Sequence, residues 1–264
     1  MTYETIIVDI TDAVMTITMN RPERLNAWTY QMGSEMESAL KAGNEDDDVD
    51  AFVVTGAGRG FCAGADIKEL FQAQAESGEV RGGSREPGDW VGLLRNSKPV
   101  VAAVNGAAIG VGLTQILPMD FIVAAPDAKL SCRFIKMGLV PELASSHYLV
   151  ARCGFGAASE LMLSGKTITG QEALQIRLVD RVAEPDSLLS EARNVARSMG
   201  ENSQSALAMV KGLISDNMVE TDKNLVQSRE LEALLKCYES PEHKEAIAAF
   251  LEKRDPDFKA VRGG

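Results

Sequence analysis

Two glycine-rich turns and one glutamate are the residues of this chain whose types and spacing suit chemistry. Gly56-Ala-Gly-Arg-Gly60-Phe-Cys-Ala-Gly64-Ala-Asp-Ile and Asn105-Gly-Ala-Ala-Ile-Gly110-Val-Gly112 each follow an apolar run and precede a helical pattern. Such a turn presents unpaired backbone N–H groups at a helix start, where negative charge is favoured. Glycine also lets a ligand approach the backbone closely. Two turns facing one point would form a two-donor oxyanion hole. Alternatively, the glycines serve tight packing alone. The glutamate is Glu142, in Gly138-Leu-Val-Pro-Glu142-Leu-Ala-Ser-Ser146. By itself it has a bland explanation, since Pro followed by an acid is ordinary helix-start composition.

Other chemistries fail on spacing. Gly165-Lys166-Thr167 looks like the end of a phosphate loop, but Glu160 stands where that loop needs glycine. No GxGxxG or GxSxG pattern occurs. His147 and His243 are the only histidines, and Cys62, Cys132, Cys153 and Cys237 form no CxxC pair, so no metal site is expected. The cysteines read as reduced, small apolar residues. The acid run Glu45 to Asp48 reads as a solvated loop.

The elements that must position these turns follow from periodicity. Thr5–Ile10, Val14–Met19, Ala51–Thr55, Val100–Val104 and Phe121–Ala125 read as strands. A helix is expected from Thr29 to Ala42, with Met32, Met36, Ala39 and Leu40 on its core face. A second should begin near Ile67, and the polar stretch 72–89 reads as a loop. From Pro141 onward the pattern is almost entirely helical, at 142–152, 156–163, 169–176, 187–199, 204–214, 218–238 and 241–253. Leu225, Leu231, Leu234, Leu235 and Tyr238 share one apolar face. The expected organisation is an α/β core over 1–195 and a helical region over 196–264.

Composition sets the outer bounds. The chain has 264 residues, a net charge of −11 and 45% hydrophobic residues, ample for a sizeable core. The acid excess argues against nucleic acid or an anionic membrane as partner, since both need clustered positive charge. It leaves room for a small anion at a local site. Residues 99–119 carry no charge, but Asn105, the glycines and Pro118 interrupt them, so they read as strand, turn and buried helix rather than a membrane span. The N-terminus lacks the features of a signal peptide, and a cytoplasmic location is expected.

A resemblance now enters. Asn20-Arg-Pro-Glu-Arg-Leu-Asn26-Ala, Gly60-Phe-Cys-Ala-Gly-Ala-Asp66-Ile-Lys, Lys98 through Gly110, Asp120, Ser164-Gly165 with Ala173 to Asp180, and Phe250-Leu-Glu-Lys-Arg254 together resemble the enoyl-CoA hydratase/isomerase (crotonase) superfamily. The match runs through nearly the whole chain in the expected order. It implies a spiral of ββα units with a helical trimerisation region, and a homotrimer or dimer of trimers. It implies an acyl-CoA thioester substrate, with coenzyme A as part of that substrate and no separate cofactor. By position, the oxyanion donors are the N–H groups of Ala65 and Val111, where Val replaces the usual Gly. Arg59, Lys68 and Lys253 match basic positions that meet CoA phosphates in relatives.

The resemblance also bears on the reaction. Hydratases of this family use two glutamates, and the matching positions here hold Thr114 and Phe134. Hydroxyl and phenyl groups cannot activate water or protonate carbon at neutral pH. The Gly-Leu-x-Pro-Glu-x-x-Ser-Ser pattern resembles the Δ3,Δ2-enoyl-CoA isomerase branch, which makes Glu142 the expected base. An apolar wall of Phe134, Leu139 and Leu143 is expected to raise its pKa. An atypical hydratase, another thioester enzyme of this fold, and an acyl-CoA binding protein without catalysis are the competing readings. Trp28, Phe71 and Trp90 neighbour the expected acyl pocket, although core packing is the simpler assignment for each.

Overall fold

The computed structural model describes residues 2–68 and 89–262. The chain divides into two units, Met1–Arg197 and Ser198–Gly264. The first is built on two sheets. One contains β1 (Ile6–Thr11), β2 (Val14–Met19), β3 (Ala51–Gly56), β5 (Val100–Val104), β7 (Phe121–Ala124) and β10 (Arg181–Val182), paired in that order. The second contains β4 (Gly60–Cys62), β6 (Ala107–Ile109), β8 (Lys129–Ser131) and β9 (Thr167–Thr169), also in that order. β1 and β2 are antiparallel, whereas β2, β3, β5 and β7 run parallel. Parallel strands are covered on both faces, which explains the unbroken apolar runs of β3 and β5. Phe52, Val53, Val54 and the whole of Val100–Val104 are buried.

The first helix, α1 (Tyr30–Glu45), starts where Thr29 accepts a hydrogen bond from the Met32 N–H at 3.1 Å. Met32, Met36, Ala39 and Leu40 form its buried face, as the sequence pattern requires. The helix runs three residues beyond the expected end, into the acid run. Lys98 stabilises that end: its Nζ donates to the carbonyls of Gly43, Asp46 and Val49 at 3.0, 2.7 and 2.7 Å. Two carboxylates fix strand ends. Asp120 accepts from the Val100 N–H and from Arg95, each at 2.8 Å. Asp180 accepts from the Ile122 N–H at 2.8 Å and from Arg152 at 3.0 Å.

Several expectations need correction. The segment 105–112 is not a plain turn, because β6 occupies three of its residues. The buried helix expected after it is a single short turn, α3 (Val111–Thr114). α2 (Trp90–Asn96) precedes β5. The region after Pro141 is mostly helical, as expected, and the short strands β9 and β10 return it to the two sheets. The helix expected from 142 begins at Ser145: α4 covers Ser145–Ser164 and bends at Gly154, which has φ +76°. α5 (Gly170–Gln175) and α6 (Pro185–Gly200) follow. The helix expected near Ile67 and the loop 72–89 lie almost wholly outside the described residues.

The second unit contains α7 (Gln204–Asn217), α8 (Lys223–Glu239) and α9 (Pro241–Glu252). Ser203, Asp222 and Ser240 cap their N-termini through side-chain oxygens. Ser205 donates to Glu242 at 2.9 Å, tying α7 to α9. Leu231, Leu235 and Tyr238 of α8 are exposed. Among the described residues, no helix is long and apolar enough to cross a membrane.

Candidate active site

β4 and β6 are parallel neighbours, with Gly60 opposite Ala107 and Cys62 opposite Ala108. Each runs straight into one of the glycine-rich turns, so both turns emerge at the same end of the sheet. Glycine is what allows them to lie so close. A Cβ on Gly106 would stand 2.2 Å from the Arg59 carbonyl oxygen, and one on Gly112 would stand 2.0 Å from that of Cys62. A Cβ on Gly64, at φ +110°, would be 3.3 Å from the Ile109 carbonyl oxygen.

The Asn20–Ala27 segment locks the first turn in place. Asn26 is fully buried with φ +55°, accepts from the Arg21 N–H at 2.8 Å, and donates to the carbonyls of Ala57 and Gly60. Arg21 pairs with Asp66 at 3.0 Å, which makes that carboxylate a structural clamp beside Ala65. Trp28 forms a parallel bridge with Ala65, in which the Trp28 N–H donates to Gly64 and the Asp66 N–H donates to Trp28. In such a bridge the flanking residues make the bonds, so the N–H of Ala65 itself faces the other way. Neither the Ala65 nor the Val111 N–H donates to a backbone carbonyl among the described residues. Asn105 joins the turns, accepting from the Gly56 N–H and donating to the Gly58 carbonyl.

Ala65, Val111 and Glu142 line one cavity of about 1320 Å³. Glu142 is not in a helix. It lies in the loop between a 3-10 turn (Arg133–Met137) and α4, followed by Leu143 and Ala144 at φ +56° and +53°. Left-handed backbone costs roughly 1–2 kcal/mol for each residue with a side chain, and this pair adjoins the site, where strain tends to collect. The helix-start explanation of Glu142 therefore falls away. Glu142 is exposed at the cavity wall, with protein on its remaining sides. Partial loss of solvent there pushes its carboxyl above the usual carboxylate range. Phe134, Leu139 and Leu143 line the same cavity, as the expected apolar wall. The buried thiol of Cys132 is pushed up to about 11, first by desolvation and then by the negative charge of Glu142.

The two hydratase positions behave differently. Phe134 lines the cavity, and its Cζ lies 4.0 Å from where a Cβ of Gly110 would be. Thr114 is fully buried, and its hydroxyl has no hydrogen-bond partner among the described residues. Trp28 and Trp90 line the cavity instead of belonging to the closed core, with their rings edge to face at 6.0 Å. Phe71 lies outside the described residues. The basic candidates do not gather in this cavity. Arg59 lines a separate cavity of about 560 Å³ together with Asp127, Lys129 and Glu184. Lys68 is exposed just after the Ala65 turn. Lys253 does not lie within a helix: it follows α9 in left-handed backbone at φ +58°. The cavity-facing stripe of α1, including Ser34, Glu37, Ser38 and Lys41, went unnoticed in the sequence because any polar helix face looks alike there.

One cavity thus brings together a carboxylate and two N–H groups that have no backbone partner among the described residues. Residues 9–261 match the family described as enoyl-CoA hydratase/isomerase, and the chain belongs to that family. It is 35% identical over 262 residues to the probable enoyl-CoA hydratase EchA8 of Mycobacterium tuberculosis, covering 98% of this chain and 99% of that one. It is 33% identical over 260 residues to the 1,2-epoxyphenylacetyl-CoA isomerase of Escherichia coli, covering 97% and 98%. A crystal structure of a putative enoyl-CoA hydratase from Streptomyces coelicolor superposes with a TM-score of 0.89 at 29% identity, covering 97% of this chain and 94% of that one. The α/β fold is that of the crotonase superfamily, and the protein is an acyl-CoA-processing enzyme of that superfamily.

Proposed function

We propose that this enzyme converts 3-enoyl-CoA to 2-enoyl-CoA. The thioester oxygen accepts hydrogen bonds from the Ala65 and Val111 N–H groups. Glu142 takes a proton from C2, and the electron pair delocalises through C3–C4 onto the oxygen as a dienolate. The resulting carboxylic acid returns the proton to C4, leaving the double bond at C2–C3 and regenerating the carboxylate. Coenzyme A enters only as part of the substrate, and no further cofactor takes part. Lys68, Arg59 and Lys253 remain the proposed phosphate contacts.

One observation carries the reading. Glu142 lines the same cavity as Ala65 and Val111, while Phe134 of that cavity and the buried Thr114 hold no carboxylate at the positions that, by the resemblance, match the hydratase glutamates. A net proton relocation needs one carboxylate; addition of water needs two groups. Partial desolvation of Glu142 at the cavity wall makes its carboxylate a stronger base. Hydration is the second reading, favoured by the hydratase names of most relatives, EchA8 among them. The two separate in a paired assay, with 3-hexenoyl-CoA and 2-hexenoyl-CoA given separately to the purified enzyme. Formation of conjugated product from the first and negligible hydration of the second is expected. Efficient hydration of 2-hexenoyl-CoA sinks the isomerase reading. We also propose self-association as a homotrimer or dimer of trimers, which light scattering on the purified chain tests.

A further inference from the structure

Three buried side-chain oxygens have no hydrogen-bond partner among the described residues: Thr114 Oγ1, Gln115 Oε1 and Ser145 Oγ. Gln115 is fully buried and directly follows α3. Its other polar groups all reach parts of the site. Its N–H donates to the Val111 carbonyl at 3.0 Å, closing the turn that carries the Val111 N–H. Its carbonyl accepts from Trp90 Nε1 at 2.9 Å, which fixes one ring of the cavity wall. Its side-chain Nε2 donates to Met19 Sδ at 3.9 Å.

Met19 belongs to the support of the other turn. It ends β2, stands opposite Gly56 of β3, and accepts from the Ala57 N–H at 2.8 Å. Gly56 and Ala57 open the glycine-rich segment that passes through β4 to Ala65. Cys62, the last residue of β4, adjoins the same junction. A Cβ on Gly112 would stand 3.0 Å from Cys62 Cβ, and the Cys62 thiol donates to the Gly64 carbonyl at 3.9 Å. Burial pushes that thiol up to about 11, and hydrogen bonding by Gly64, Trp28 and the Gln115 side chain opposes the shift. The Gln115 amide therefore lies between the supports of the two turns.

We propose that Gln115 is a positioning residue, whose side-chain amide joins the α3 turn to Met19 and Cys62 and so sets the spacing of the Ala65 and Val111 N–H groups. This deepens the oxyanion reading of the site and rests on it. Stability does not account for the amide. A thioether is a weak acceptor, and an unpaired buried carbonyl costs more than such a contact returns. An apolar side chain of equal length would fill the space without that cost. What the amide adds is a directional contact in a buried place, the kind of feature that trades stability for site geometry.

Gln115→Met tests this, because it keeps the length of the side chain and removes the amide. Bound hexanoyl-CoA, labelled with carbon-13 at the thioester carbonyl, reports the hole directly by infrared difference spectroscopy without reacting. Two aligned donors polarise the carbonyl and lower its stretching frequency, and the variant should lose about half of that shift. With 3-hexenoyl-CoA, kcat should fall about tenfold, as expected of a sub-ångström misplacement, and KM should stay within about twofold. The urea midpoint should be unchanged or higher. A variant that keeps the full carbonyl shift, or kcat within twofold, overturns the proposal. So does a loss of shift and rate accompanied by a lower urea midpoint, since Gln115 would then only support the fold. Gln115→Leu takes its place if Gln115→Met does not fold, and misfolding of both overturns the proposal in the same way. Loss of the carbonyl shift in the variant, with no turnover of any 3-enoyl-CoA by wild type, would instead overturn the isomerase reading alone.

Discussion

Replacing Gly112 with alanine should separate the two proposed oxyanion donors, the Ala65 and Val111 amides, without touching either. The added Cβ would stand 2.0 Å from the Cys62 carbonyl oxygen and 2.9 Å from its carbon, both backbone atoms. Real Cβ contacts essentially never fall below 3.0 Å, so the strands leading to Ala65 and Val111 must part by about 1 Å. A displacement of that size in a positioned site costs about a hundredfold in rate, or about 2.7 kcal/mol of activation free energy. Overpacking adds roughly 1–3 kcal/mol of destabilisation, so kcat for 3-hexenoyl-CoA is measured well below the melting transition. Gly64→Ala is the milder companion, because its Cβ meets the Ile109 oxygen at 3.3 Å and its φ of +110° disfavours a side chain. It should cost about tenfold. A folded Gly112→Ala enzyme that keeps kcat within threefold of wild type refutes the claim that the spacing of these two amides drives catalysis.

Other predictions follow from single residues. In the proposed reaction Glu142 acts as a carboxylate, and its pKa is raised, so kcat/KM should fall tenfold per pH unit on the acid side. The inflection should lie above the range of an ordinary glutamate, and an inflection within that range contradicts the burial argument. The same shift means that the charged form is penalised in the fold: the relative stabilisation present at low pH is lost as pH rises through the folded-state pKa. Glu142→Gln should accordingly not lower Tm at neutral pH. Asn26→Ala removes bonds to Arg21, Ala57 and Gly60 from a buried turn and should cost about 2–4 kcal/mol in urea unfolding; a loss below 1 kcal/mol would show that the turn holds without it. Cys132, buried and pushed up to about 11, should resist iodoacetamide at pH 8 in the folded enzyme, so rapid labelling would count against its burial.

The parts of the fold that the sequence disclosed were those with a period long enough to read. β2, β3, β5 and β7 have four or more β-branched or apolar residues in a row, β1 has three, and α1 shows its core stripe directly. β4, β6, β8 and β9 have three residues each, too few for a period, and two of them sit within glycine-rich segments that read as turns. Pro141-Glu142 imitates a helix start. What overrides it is the left-handed pair Leu143–Ala144, two residue types that give no warning of such backbone. Trp28 and Trp90 have ordinary core composition, and only the bridge from Trp28 to Ala65 brings the first ring to the cavity. The glycine-rich segments and Glu142 that line the cavity could be picked out by type and order. Their convergence depended on Gly106 and Gly112, whose close approaches to Arg59 and Cys62 no linear pattern reveals.

The central claim is that Glu142 is the base of a double-bond shift. Its most direct test is a single comparison of wild type and Glu142→Gln on 3-hexenoyl-CoA, following conjugated enoyl thioester by ultraviolet absorbance and binding of hexanoyl-CoA by calorimetry. Loss of a positioned general base predicts a rate lower by about 10²–10⁴, with thioester affinity retained. A Glu142→Gln enzyme that isomerises at the wild-type rate would contradict the account.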